Sequence, residues 1–270
     1  MLKVCSVSKT FFGGTPNQVD ALRDVQLEIP TGCFAAIIGT NGSGKSTLLN
    51  AIAGTFEVDQ GAILLDGTDV SKWPEYRRAS RIGRVFQNPF AGTAAGMTVA
   101  ENIALAMRRG HRRGFGKAIS VSARSEMGDR VRSLGMGLED RLDNPIGTLS
   151  GGQRQALTLL MATWLKPQLL LLDEHTAALD PKSAAQVAEL TRTLIARDRL
   201  TALMVTHSMQ QAVELPDHIV LMHKGQVVRQ YGGRDKARIR VPDLLAAFDH
   251  IRRRDQLDAD VADVITRQYR

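Results

Sequence analysis

Gly39-Thr40-Asn41-Gly42-Ser43-Gly44-Lys45-Ser46-Thr47 is the stretch on which the reading of this chain turns. An unbroken apolar run, Phe34-Ala35-Ala36-Ile37-Ile38, comes before it and predicts a buried strand. After it, Leu48, Leu49, Ile52 and Ala53 recur at helical spacing until Gly54 predicts a stop. Strand, glycine-rich loop and helix together are the setting that a G-x-x-x-x-G-K-[ST] phosphate loop requires. Gly39, Gly42 and Gly44 leave successive backbone N–H groups free to turn inward. The helix start adds unpaired N–H groups and the positive end of the peptide dipole beneath a phosphate. Lys45 supplies a mobile charge for the β- and γ-phosphates, and Ser46 offers a hydroxyl to Mg²⁺. Asn41, Ser43 and Thr47 complete the loop as further nucleotide contacts. A chance glycine-rich turn would not match every fixed position in this setting. The stretch implies a nucleoside triphosphate site.

A chain of 270 residues is long enough for one large α/β domain with a smaller lobe. Its balance of 43% apolar and 23% charged residues is that of a soluble globular protein. The net charge of +7 is concentrated in Arg108–Arg113 and Arg252–Arg254. Such clusters can face nucleic acid or an anionic membrane, but an excess this modest is better read as solvated surface. Cys5 and Cys33 provide no disulfide framework. No apolar run reaches the length of a membrane span, and the N-terminus lacks a signal-peptide core. The expectation is a reducing cytoplasm, with any membrane connection made through a partner.

Around the loop, Leu2–Ser8 predicts a strand, Gly13–Asn17 a turn and Val19–Ile29 an alternating strand. Phe11 and Phe12 close the first segment, where an aromatic either packs in the core or stacks on a purine. Ala62–Leu65 predicts another strand, ending at Asp66-Gly67. From Asn88 to Leu149 the pattern turns helical. Thr98 and Glu101 form a capping-box signature for Val99–Met107, a basic loop runs from Arg108 to Gly116, and a second helix is predicted from Ser122 to about Met136. Gln87, at the entrance of this segment, either reaches a metal-bound water or satisfies backbone at a strand end.

Leu149-Ser150-Gly151-Gly152-Gln153 then opens a helix predicted to run to about Leu165, with Ser150 as N-cap. This makes a second anion-binding helix mouth. One phosphate loop already surrounds a β-phosphate, so the second mouth implies a different ligand or another subunit's nucleotide. Leu169-Leu170-Leu171-Leu172-Asp173-Glu174 reads as a strand buried on both faces, ending at the crevice of a parallel sheet. Asp173 can hold Mg²⁺ through water, and Glu174 can act as general base on the attacking water; two capping acids are the plainer alternative. Asp180 and Pro181 predict the start of a helix to Arg197. Thr201–Thr206 is one more buried strand. His207 at its end either donates to a γ-phosphate and orients Glu174 or is structural.

Gly39–Thr47, Gln87, Leu149–Gln153, Leu169–Glu174, Ala178–Asp180 and His207 resemble, in order and approximate spacing, the ATP-binding cassette ATPases. The resemblance covers residues 1–235. Its Leu-Ser-Gly-Gly-Gln run separates this family from other phosphate-loop NTPases. The expected fold is α/β: a phosphate-loop NTPase core with a parallel sheet, an antiparallel β subdomain and an inserted α-helical lobe over 88–160. A helical tail is expected over 236–270, read as Val241–Arg254 and Asp258–Tyr269.

The resemblance implies ATP and Mg²⁺ as ligands. It also implies a head-to-tail dimer, with each ATP between Lys45 of one subunit and Ser150, Gly151, Gly152 and Gln153 of the other. By the same likeness Phe11 stacks on adenine, Gln87 couples the lobe and helps hold the metal, Glu174 is the base, Asp180 contacts the other subunit and His207 senses the γ-phosphate. His175 is a departure, because the family usually has proline after the catalytic glutamate; altered turn rigidity with intact chemistry is expected. Asp-Glu-His-Thr-Ala-Ala-Leu-Asp-Pro resembles a subgroup of bacterial importer-type ATPases.

The expected function is therefore the ATPase subunit of a membrane transporter, an importer of a small organic solute. It would sit at the cytoplasmic membrane face on integral permease subunits, beside a separate solute-binding protein. An exporter ATPase is one alternative, and a soluble cassette acting on nucleic acid or an assembly complex is another. The second would be marked by a coiled-coil or zinc-binding insertion or a second cassette, and none is seen, so no direct nucleic-acid contact is expected. A catalytically idle scaffold would not need Lys45, Asp173, Glu174 and His207 together.

Overall fold

The computed structural model describes residues 1–110, 119–251 and 253. Strands β1 (Leu2–Phe11), β2 (Val19–Ile29), β3 (Phe34–Gly39), β4 (Gln60–Leu65), β5 (Thr68–Asp69) and β6 (Ile82–Val85) lie in the first third of the chain. Strands β7 (Leu169–Asp173), β8 (Ala202–Val205), β9 (His218–His223) and β10 (Gln226–Gly232) follow the lobe. The helices are α1 (Lys45–Ala53), α2 (Glu75–Arg78), α3 (Val99–Met107), α4 (Val121–Arg132), α5 (Gly151–Thr163), α6 (Pro181–Asp198), α7 (Met209–Glu214) and α8 (Gly233–Arg238). A further helical stretch covers 241–251.

Two sheets carry the core. An antiparallel sheet has the order β2-β1-β4-β5, and a six-stranded sheet has the order β10-β9-β3-β8-β7-β6. In the larger sheet β9, β3, β8, β7 and β6 run parallel, and β10 closes one edge antiparallel to β9. Every residue of β3 and β8 is buried, as central parallel strands covered on both faces require. Leu169 to Leu172 are fully buried, each stabilising the fold by about 1.5–3 kcal/mol relative to exposure.

One core cluster joins the two sheets through α1, with Leu48, Leu49 and Ile52 between Val4, Ile63 and Leu171. A second covers the other face of the parallel sheet. There Leu244 and Phe248 join Leu194 and Ile219, so the 241–251 helix packs on the core. A third cluster belongs to the lobe and unites α3, α4 and α5 through Ile103, Val131 and Leu157. The capping box of Thr98 and Glu101 is formed: Glu101 N–H donates to Thr98 Oγ1 at 3.2 Å and Thr98 N–H donates to Glu101 Oε2 at 2.8 Å.

Three local readings change. The first strand continues past Ser8 to Phe11, because bulges let Lys9, Thr10 and Phe11 keep pairing with β2. The helix expected to about Met136 ends at Arg132, and Gly135 and Gly137 follow at φ 64° each, which breaks helical continuation. The β9–β10 hairpin was not expected from the sequence; it turns on Lys224 and Gly225, both at positive φ. Most of the basic loop after Arg108, and Asp258–Tyr269, lie outside the described residues.

Candidate functional site

Parallel neighbours β3, β8, β7 and β6 bring four strand ends to one carboxyl edge, where ligands of open α/β sheets bind. The phosphate loop leaves β3 there. A Cβ on Gly39 would lie 2.4 Å from Met222 O and 2.5 Å from Ser43 Oγ, so only glycine lets the loop start this close to β9. Gly44 begins α1 in left-handed backbone, φ 93°, and gives no side-chain cap. The first-turn N–H groups of α1 are therefore left for a ligand. Ser43 Oγ is buried with no hydrogen-bond partner among the described residues, an orphan that an anion in the loop would satisfy. Lys45 donates to the carbonyls of Gly39 at 3.0 Å and Thr40 at 2.9 Å. Asn41, Gly42 and Ser46 are exposed, and Thr47 is half-buried.

A cleft of about 610 Å³ opens in front of Gly42 to Thr47 and is walled by Phe11 and Phe12. Phe11 is half-buried and meets Phe56 edge to face, with ring centroids 5.3 Å apart. Phe12 is 70% exposed, at φ 55°.

Beside the loop, β7 ends in Asp173 and Glu174. Glu174 holds a φ of 43°, an unusual backbone for a side-chain-bearing residue, and its N–H donates to Val205 O at 3.0 Å. This turns its carboxylate to His207, whose Nε2 lies 2.7 Å from Glu174 Oε1. Burial pushes the Lys45 ammonium below its ordinary range, while the charges of Glu174 and Asp173 oppose that shift. Burial and the Glu174 charge raise the Asp173 carboxyl, with Arg84 and Lys45 opposing. Two carboxylates and a lysine therefore share one partly desolvated field.

The second helix mouth forms elsewhere. Ser150 caps α5 in a closed box: Gln153 N–H donates to Ser150 Oγ and Ser150 N–H donates to Gln153 Oε1, each at 3.2 Å. Gln153 Nε2 also donates to Met136 O at 3.2 Å. Gly151 is exposed at the tip. None of Ser150, Gly151, Gly152 or Gln153 lines the cleft in front of the phosphate loop.

Comparison with known proteins places this geometry. The ABC transporter family matches residues 22–177. The tyrosine transport ATP-binding protein of Clostridioides difficile is 38% identical over 252 residues, which cover 93% of this chain and 99% of that one. This chain belongs to the ABC transporter family. It is an ATP-hydrolysing cassette, the ATPase subunit of a transporter.

The sulfate/thiosulfate import ATP-binding protein CysA of Nocardia farcinica is 38% identical over 209 residues. That match covers 77% of this chain and only 59% of that longer protein. Among solved structures, the dimeric ATP-binding cassette MJ0796 in a post-hydrolysis state bound to ADP and Pi superposes with a TM-score of 0.73 at 28% identity. It covers 86% of this cassette and 98% of that chain.

Of the cassette's other singled-out residues, Gln87 is exposed just beyond β6. Asp180 caps α6, with Ser183 N–H donating to Oδ1 at 3.0 Å; hydrogen bonds from Ser183 hold its carboxyl below the ordinary range. Sequence reasoning missed the groups that support Asp173. Arg84 on β6 lies 4.0 Å from Asp173 Oδ2, hydrogen-bonds Asn50 of α1 and stacks over Phe86 at 4.5 Å. A lone arginine inside the otherwise apolar Ile82–Phe86 run was the available signal. Arg154 was also missed. It is buried in α5, donates to Gly147 O at 2.8 Å and Leu149 O at 3.2 Å, and lies 3.6 Å above the Phe90 ring. It fixes the turn that presents Ser150.

Proposed function

We propose that this cassette is the energising subunit of an importer for a small organic solute. In this reading it works as a head-to-tail homodimer docked on integral permease subunits at the cytoplasmic membrane face, with a separate solute-binding protein. The import direction is supported by the name of one relative, a sulfate/thiosulfate import ATP-binding protein, and a small organic solute by that of another, a tyrosine transport ATP-binding protein. No helix among the described residues is long and apolar enough to cross a membrane, which fits a subunit attached through partners.

The observation that carries the mechanism is the Glu174–His207 contact beside Lys45 and Asp173. Gly42 to Thr47 cradle the triphosphate, Phe11 stacks on the adenine, and Lys45 exchanges its loop carbonyls for β/γ-phosphate oxygens. Glu174 accepts the proton of the attacking water, and His207 shares its Nε2 N–H between Glu174, which it holds in place, and the γ-phosphate.

The donor set also fits Mg²⁺. The Asp173 carboxylate has Arg84 at 4.0 Å as its ion-pair partner, beyond hydrogen-bond distance, and Ser46 is exposed in the first turn of α1. Ser46 and Asp173, with Gln87 at the rim, would hold the ion, and it would supply positive charge against the β- and γ-oxygens.

Ser150, Gly151 and Gly152 meet the γ-phosphate of the other subunit's ATP, and Asp180 meets the other subunit's loop. ATP binding then closes the dimer and hydrolysis reopens it. A groove of about 500 Å³ between core and lobe, lined by Phe86, Asn88, Leu105 and Arg109, lies beside Gln87 and is our candidate permease contact. Leu105 is exposed there, and Phe90, between the lining residues Pro89 and Ala91, is exposed next to it, as a docking surface requires.

Light scattering with Mg-ATP tests the scheme. Glu174→Gln is expected to form an ATP-dependent dimer and to lose hydrolysis by about 10²–10⁴-fold. Hydrolysis at the wild-type rate would remove Glu174 as base. A monomer under saturating ATP, both alone and with the co-purified membrane partner, would remove the shared-site reading of Ser150.

A further inference from the structure

His175 follows Glu174 where the chain leaves β7. Ala177 N–H donates to Glu174 O at 2.9 Å, closing a four-residue turn in which His175 is the second residue. A proline at that place fixes φ with its ring; the histidine instead offers a side-chain anchor. His175 is 2% exposed, and its Nε2 lies 2.9 Å from Thr191 Oγ1 on α6. Thr191 is fully buried and its hydroxyl already donates to Val187 O at 2.7 Å. It is therefore the acceptor, and the imidazole carries its proton on Nε2.

The next residue anchors the turn on its other side. Gln211 Nε2 donates to Thr176 Oγ1 at 3.1 Å, and Thr206 Oγ1 donates to Gln211 Oε1 at 3.3 Å. Thr206 directly precedes His207. The turn after β7 is thus tied to α6 by His175 and to the turn after β8 by Thr176. Between these ties stands Glu174, in left-handed backbone, with its carboxylate against His207.

We propose that His175 is a positioning residue for ATP hydrolysis, its hydrogen bond to Thr191 holding the Glu174 turn so that the carboxylate stays aimed beside His207. The proposal rests on the reading of Glu174 as base. A left-handed non-glycine residue persists only where its surroundings over-determine it, and a small misplacement of a base is expensive in rate. His175 touches no substrate in this scheme. Its effect therefore falls on kcat and leaves the nucleotide cradle alone.

The test compares steady-state hydrolysis in the full chain for wild type, His175→Ala, His175→Gln, Thr191→Val and Glu174→Gln, with thermal melting and fluorescent-nucleotide binding as folding controls. His175→Ala and Thr191→Val are each expected to lower kcat about tenfold, with KM for ATP within about twofold of wild type. A double variant, His175→Ala with Thr191→Val, is expected to be no slower than either single one, because the two share one hydrogen bond. His175→Gln keeps an N–H donor near the Nε2 position and is expected to recover most of kcat.

Wild-type kcat in both His175→Ala and Thr191→Val overturns the proposal. So does a glutamine variant no better than alanine. If His175→Ala does not fold, Thr191→Val decides alone, since it removes the hydroxyl that accepts the imidazole N–H and leaves the imidazole in place. Loss of hydrolysis in Glu174→Gln alongside normal kcat in the other variants removes only this proposal. Normal hydrolysis in Glu174→Gln removes the base reading itself.

Discussion

The two helix mouths of the cassette look alike in sequence and differ in the structure. Both are glycine-rich starts of helices that follow a turn, and both point N–H groups outward. At α1 the start is Gly44 in left-handed backbone with no side-chain cap. At α5, Ser150 and Gln153 satisfy each other's backbone N–H groups. The α1 mouth is therefore built around a ligand, with an orphan hydroxyl at Ser43 and a buried lysine beside it. At the α5 mouth the box takes up the N–H groups of Ser150 and Gln153 and leaves only those of Gly151 and Gly152 open, a smaller donor face held in place before any ligand arrives. The glycines differ in the same way. Gly39 lets the loop pass the backbone of β9, whereas Gly152 lets α5 approach the first turn of α6: a Cβ there would lie 2.8 Å from both Cβ and Oγ of Ser183.

Gly39→Ala should break the α1 side most severely. Its new methyl meets the Met222 carbonyl at 2.4 Å, and backbone does not swing aside as a side chain does. A strain of about 3 kcal/mol placed on the loop corresponds to ATP binding weakened on the order of a hundredfold. Isothermal titration of ATP against the variant measures this. Affinity within about threefold of wild type would mean that the loop and β9 slide apart at little cost.

Gly152→Ala should act on the other mouth only. Nucleotide affinity of the isolated subunit is expected within about twofold of wild type, while hydrolysis falls about tenfold as α5 shifts off its aim. Adding Ser183→Gly removes the atoms with which the methyl collides. Recovery of hydrolysis in that double variant would assign Gly152 to packing between α5 and α6. Continued loss with normal melting would assign the bare glycine to a nucleotide held by the other subunit, which is the sharper form of the contrast.

Much of this was legible in the chain. The strand before Gly39, the phosphate loop, the box at Thr98 and the carboxylates after Leu172 are local signals, set by periodicity and by turn and cap chemistry. The meeting of Glu174 with His207 was legible because both end buried parallel strands, and such ends share an edge. What stayed hidden depends on tertiary partners. Arg84 reads as a stray charge until β6 is laid beside β7 and α1 supplies Asn50. His175 reads as a loose turn residue until α6 brings Thr191 to 2.9 Å, sixteen positions away. The β9–β10 hairpin hid because β10 alternates weakly, with exposed Arg229 and Gln230 and only Tyr231 buried.

The smallest expected effect lies at the wall of the α1 cleft and concerns which aromatic stacks. Phe11 and Phe12 both line it. Phe11 is braced edge-on by Phe56, with Lys9 Nζ 5.6 Å from each ring centroid, so its face is set before a base arrives. Phe12 is 70% exposed and would have to be ordered on binding. Phe11→Ala is accordingly expected to weaken ATP binding by about 1 kcal/mol, or about fivefold, and to lower the melting temperature through loss of the Phe56 contact. Phe12→Ala should leave both within error. GTP competition sharpens the point, since stacking accepts either purine face, and a stacking Phe11 would lose affinity for ATP and GTP together. The reverse ranking, with Phe12→Ala the weaker binder and the more stable protein, would mean that the exposed ring closes over the base and that bracing by Phe56 serves only the fold.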